Sequence, residues 1–167
     1  ISKALGNRGS RLQILGIGAL LANMICPWLL QSVYTTGGVT DFKGLFMIPL
    51  AAASLALILS QAPDVLAGAT LVSGWSWIPA AGLNATFRLD GFGLLFALLI
   101  LGIGLLVILY ARYYLSPEES KERFYGLLLL FMGAMLGVVL AENLLLLVTF
   151  WELTSLSSFL LIGFWRH

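Results

Sequence analysis

One carboxylate stands out by its position. Glu152 is the tenth residue of a 23-residue apolar stretch, Asn143–Trp165 (NLLLLVTFWELTSLSSFLLIGFW). That length lets an α-helix cross a bilayer. At about 1.5 Å rise per residue, Glu152 lies roughly 14 Å from one end of the helix, close to the bilayer midplane. An ionised carboxylate there costs at least about 2.5–3.5 kcal/mol, so Glu152 is neutral, paired or facing water. Val148, Thr149, Ser155 and Leu156 share its helix face. The Thr149 and Ser155 hydroxyls can hydrogen-bond a carboxyl or hold a water beside it, while Leu, Phe and Trp fill the other side. A polar strip centred on one acid is the pattern of a group facing a hydrated interior. The competing reading is a protonated carboxyl that only ties two helices together. Ionisable residues inside membranes default to functional roles, which favours the first.

The other titratable groups fall at the ends of apolar runs. Asp90 immediately precedes the run Gly91–Tyr110 and fits a helix N-cap, its carboxylate accepting the first free N–H groups. Glu142 sits in a tight turn, Ala141-Glu142-Asn143. The single cysteine, Cys26, excludes an internal disulfide and a cysteine-based metal cluster, and no metal or other cofactor is expected. A net charge of +1 makes no case for nucleic acid. No second ionisable residue lies at midplane depth in the other apolar runs, where Asn23 is the most polar candidate. A proton or cation path needs a chain of sites. The partner of Glu152 is therefore expected outside this sequence or in a different polypeptide of a complex, and expected to be basic.

The elements that carry these groups follow from composition. The chain is 60% hydrophobic and 10% charged, against about 25% charged in ordinary soluble domains. All apolar runs have helix length and none shows ten-residue alternation, which argues against a β-barrel. The expected fold is all-α: a polytopic membrane bundle of about five transmembrane helices with a short extramembrane β-hairpin. The spans are Leu12–Val33, Leu45–Ser60 (which could start two residues earlier or continue to about Val65), Gly91–Tyr110, Phe124–Leu140 and Asn143–Trp165. They group as two helices in 1–60, a hairpin region in 61–90 and three helices in 91–167.

Strands at about Ala69–Trp77 and Asn84–Leu89 would flank the turn Pro79-Ala80-Ala81-Gly82, with Trp75 and Trp77 at the headgroup level. The segment Ala111–Arg123 reads as a charged loop in which Ser116-Pro117-Glu118-Glu119 caps a helical lead-in. Gly133 and Gly137 form a GxxxG pattern that signals close helix packing. Arg112, Lys121 and Arg123 place that loop in the cytoplasm and the hairpin outside by the positive-inside rule. Lys3, Arg8 and Arg11 then fall outside and break the rule; either Leu45–Ser60 does not fully cross, or the true N-terminal region is missing or altered. The chain opens on Ile1 and stops at His167 just after an apolar helix; both ends read as cut from a larger protein.

The segments FRLDGFGLLFALLILGIGLLVILYARYYL and RFYGLLLLFMGAMLGVVLAENLLLLVTFWELTSLSSFLLIGFW closely resemble the N-terminal region of the A subunits of Mrp-type multisubunit cation/proton antiporters. They resemble less closely the antiporter-like subunit 5 of respiratory complex I. The resemblance covers roughly residues 87–165, and residues 1–60 match only in hydropathy. It implies a module of fourteen helices built on two inverted five-helix repeats. It also implies that a glutamate of the fifth helix pairs with a lysine of the seventh, opening a hydrated line of charges along the midplane. Glu152 matches that glutamate, and Asp90 matches the acidic start of the third helix. The lysine lies beyond His167. The function implied is coupling of H⁺ entry to Na⁺ (or other monovalent cation) extrusion in a bacterial inner membrane. The partners implied are H⁺, the cation, the lipid bilayer and other subunits of a membrane complex. A proton-pumping arm of a complex I-type NADH:quinone oxidoreductase and a non-transporting membrane scaffold are the alternatives.

Overall fold

The computed structural model describes residues 43–78, 83–115 and 121–165. The expected helix Leu12–Val33, the turn Pro79–Gly82 and the Ser116–Glu119 cap lie outside the described residues.

Four helices long and apolar enough to cross a membrane are present among the described residues. The first, α1, runs from Lys43 to Leu66. It begins two residues before the expected Leu45 and ends six after Ser60, passing through Pro63. A proline this near a helix end removes one N–H donor, and burial of Val65 on the neighbouring helix favours continuing. The stop comes at Gly68, whose φ of +89° suits glycine. Gly68 N–H donates to the Val65 carbonyl (2.9 Å) and Ala69 N–H to the Asp64 carbonyl (3.0 Å), a Schellman closure. The region expected as 61–90 hairpin therefore loses its first residues to the helix.

Strands β1 (Leu71–Ile78) and β2 (Leu83–Leu89) pair antiparallel, with Leu71 opposite Leu89 and Ser76 opposite Asn84. The period of two is visible on β2, where Ala85, Phe87 and Leu89 are buried and Asn84 and Arg88 are exposed. One face of the hairpin thus lies on the helices. Helices α2 (Gly91–Tyr114), α3 (Lys121–Leu140) and α4 (Leu144–Ile162) follow, the last ending in a 3₁₀ turn, Gly163–Trp165. Helix α2 runs four residues past the expected Tyr110, because Ala111 and Leu115 continue its buried stripe.

That stripe fixes the packing. From Leu94 on, the buried positions of α2 and its cap are 94, 97, 101, 104, 108, 111 and 115; in α1 they are 51, 54, 58, 61 and 65. Both alternate steps of three and four, the seam of left-handed helix pairing. Helix α2 packs on α1 and α3, and α3 packs on α4, which leaves α4 at the edge. The hairpin, the N-termini of α2 and α4 and the C-termini of α1 and α3 share one end of the bundle. Lys43, Arg112, Lys121, Glu122 and Arg123 lie at the other.

Candidate functional site

Glu152 is the ninth of the nineteen residues of α4, one residue before its midpoint. The helix is held from one side only. Leu146, Phe150 and Ser157 are its buried residues, and 17% of its span is buried against 50% of the α3 span. Phe150 is the main anchor. Its ring lies on the backbone of α3 at Gly137, where any Cβ would collide with it. The same ring meets Phe87 of the hairpin at 5.9 Å between centroids, a tilted geometry favourable for aromatic pairs. Fully buried Ser157 lies lower on the same side.

The start of α4 is tied down as well. Asn143 caps it, its side-chain oxygen accepting from Leu145 N–H at 2.9 Å. The preceding turn is stitched to β2 by a bridge between Phe87 and Ala141 and by Glu142 N–H donating to the Thr86 carbonyl at 3.0 Å. The three-residue turn and the close approach at Gly133–Gly137 are expected from the sequence. Phe150 and Phe87, the groups that orient the helix, are not. An aromatic two residues from Glu152 on the opposite face was the available signal.

With Phe150 turned inward, Glu152 faces outward. It is exposed in this chain, as are Thr149 and Ser155 on its face. Leu145, Val148, Trp151, Leu156 and Phe159 surround them, also exposed. Among the described residues Glu152 has neither a hydrogen-bond nor an ion-pair partner. The neighbouring helix α3 offers no titratable side chain between Tyr125 and Leu140. In α2 none occurs before Tyr110, and in α1 none between Lys43 and Asp64.

The hydroxyl protons of this face are engaged within the helix. Thr149 Oγ1 donates to the Leu145 carbonyl at 2.8 Å, and Ser155 Oγ donates to the Trp151 carbonyl at 3.2 Å. Neither proton is directed at the carboxylate. A hydroxyl deep in a membrane satisfies its donor on the carbonyl one turn back, and its remaining capacity is as an acceptor.

Asp90 sits in different surroundings. It caps α2, with Oδ1 accepting from Gly93 N–H at 2.8 Å. Its Oδ2 lies 3.7 Å from Arg88 Nε. Asp90 is thus engaged at the bundle end and does not approach Glu152. Among the described residues no three His, Cys, Asp or Glu side chains come together as a metal site would require.

Residues 77–125 match the family described as NADH-ubiquinone oxidoreductase (complex I), chain 5 N-terminus. A probable K(+)/H(+) antiporter A/B subunit of Rhizobium meliloti is 57% identical over 105 residues, covering 63% of this chain and 10% of that protein. The A1 subunit of a Na(+)/H(+) antiporter of Staphylococcus aureus is 51% identical over 124 residues, covering 74% of this chain and 16% of that protein. The chain therefore spans a small part of the length of these relatives. Among solved structures, one chain of the Mrp complex from Dietzia sp. DQ12-45-1b superposes with a TM-score of 0.67 at 30% identity, over 93% of this chain and 16% of that one. A chain of the archaeal membrane-bound sulfane sulfur reductase shares the fold, with a TM-score of 0.69 at 19% identity over 89% of this chain and 22% of that one.

Proposed function

We propose that this chain, which belongs to the family of Mrp-type antiporter A subunits, supplies the acidic half of an ion pair in a monovalent cation/proton antiporter. The observation that carries the reading is the outward Glu152, at the middle of an edge helix and without a partner among the described residues. A carboxylate at that depth is too costly to leave facing lipid. Its face is covered by another part of the complex, and the group that meets it is a cation.

A lysine ammonium on a neighbouring helix fits that requirement. While the carboxylate is ionised and near, the ammonium is stabilised; when the carboxylate is neutralised or displaced, the ammonium releases its proton. Coupled to further sites, that exchange lets H⁺ move inward as Na⁺, or another monovalent cation, moves outward. The bundle end with Lys43, Arg112, Lys121 and Arg123 faces the cytoplasm and the hairpin faces outward. Helix α1, 24 residues long, crosses fully in this arrangement. The membrane is a bacterial inner membrane, and the partners are other subunits of a multisubunit complex. The match of residues 77–125 to a complex I family favours a second reading, a proton-pumping subunit driven by quinone reduction.

The test is cation-driven pH change in everted vesicles carrying the complete complex, with and without E152Q. The antiporter reading expects cation-dependent proton movement in the wild type and its loss in the fully assembled variant. Equal activity in both sinks it. Proton movement that needs NADH and ignores the added cation supports the second reading instead.

A further inference from the structure

We infer that Thr149 and Ser155 are positioning residues for the cationic partner of Glu152, forming with it a row that only accepts hydrogen bonds. This rests on the ion-pair reading above and adds what else holds the pair.

The row follows from the hydroxyl geometry. Thr149, Glu152 and Ser155 are spaced three apart on the exposed face of α4, about 4.5 Å of rise between neighbours. Each hydroxyl spends its one proton on its own helix, at the Leu145 and Trp151 carbonyls. What each presents outward is a pair of oxygen lone pairs. An ionised Glu152 adds acceptors and no donor. The N–H of Trp151 is the nearest side-chain donor in sequence, and it lies about 100° round the helix from Glu152. Thr154 and Ser157, whose hydroxyls also bond back to α4, turn toward α3 and are less exposed.

A row of this kind suits one class of group. An ammonium carries three donors and no acceptor. Glu152 satisfies part of that set, and at mid-membrane the rest need protein or ordered water. Thr149 is the nearer station, because Cα–Cβ bonds tilt toward the helix N-terminus and carry the Glu152 side chain that way. Ser155 is the farther one, placed to hold a water that bridges to the pair. The same Thr149 oxygen accepts from Glu152 when its carboxyl is protonated. Thr149 therefore serves both states of the exchange. No titratable side chain of α3, α2 or α1 reaches this depth among the described residues, so the response belongs to Glu152 and the group it meets.

The experiment compares T149V, T149S, S155A and E152Q in the complete complex, reading antiport in everted vesicles across pH. Valine keeps the shape of threonine and removes the oxygen. T149V is expected to move the pH profile by about one unit toward lower pH, because an ammonium with one acceptor fewer gives up its proton more readily. T149S is expected to restore the wild-type profile, and S155A to shift it less than T149V. A structural role alone would reduce assembled complex and scale the rate equally at every pH; that result overturns the inference. So does a T149V profile identical to wild type while E152Q is inactive, and in that case the ion-pair reading stands. An active E152Q removes the ion-pair reading itself.

Discussion

Two carboxylates on consecutive parts of the same bundle meet opposite fates. Asp90 lies at a helix end, where four backbone N–H groups lack partners and the helix dipole is positive. It accepts from Gly93 N–H and lies beside Arg88, so its charge is answered within a few residues of sequence. Glu152 lies at the middle of α4, where the helix has satisfied its own backbone and local sequence supplies no donor. Thr149 and Ser155, the polar neighbours on its face, turn their protons away. The difference is one of position: an acid at a helix terminus is part of the fold, and an acid at mid-span has to be answered by another element.

That contrast can be tested by removing each charge in turn. The largest effect is expected at Glu152. Truncating one member of a buried charge pair costs about 2–5 kcal/mol, so E152Q should lower antiport by roughly thirtyfold or more and also lower the melting temperature of the assembled complex. A complex that melts early yet keeps its antiport would place Glu152 among the packing residues. Next comes the seat of α4. Gly137→Leu drives a side chain into the Phe150 ring, and overpacking of this kind costs about 1–3 kcal/mol. Thermal unfolding of the detergent-purified complex should register the loss, and antiport should fall with it because α4 carries Glu152.

Asp90 should respond less, and as a cap does. Asp90→Ala is expected to cost about 1 kcal/mol of stability, whereas Asp90→Asn, an equally good cap, should cost little. Antiport per assembled complex should survive both. Transport lost in D90N with stability unchanged would give Asp90 a role in ion handling. The smallest effect is expected from Arg88→Ala. Its contact with Asp90 is long and exposed, and surface pairs of this kind contribute about 0–1 kcal/mol. A melting curve indistinguishable from wild type is the expected outcome.

The place of each described span, the hairpin and the polar face of Glu152 were legible in the sequence because each rests on a local pattern: apolar runs, alternation, and spacing by three and four. Asp90 was legible for the same reason, its donors lying three residues away. The parts that were not legible depend on groups distant in sequence or on competing bonds. The apolar run left the end of α1 open between Ser60 and about Val65, and burial of Val65 with the cap at Gly68 decides for the longer helix. Gly137 signalled close packing without naming its occupant, because Phe150 reaches it only once the turn at Ala141 is pinned to β2. Thr149 and Ser155 marked a polar face, but which way a hydroxyl donates is decided by the carbonyl one turn back. A composition count does not register that choice.

In the ion-pair reading, Glu152 exchanges between a neutral carboxyl and a carboxylate held by a cation. A hydrophobic carbodiimide reacts with protonated carboxyls in apolar surroundings, so mass spectrometry of the treated intact complex measures that exchange at a single residue. Labelling at Glu152 should increase as pH falls and be slowed by the transported cation, with Asp90 unlabelled or indifferent to the cation. Glu152 modified at a rate that neither pH nor cation changes would contradict the ion pair.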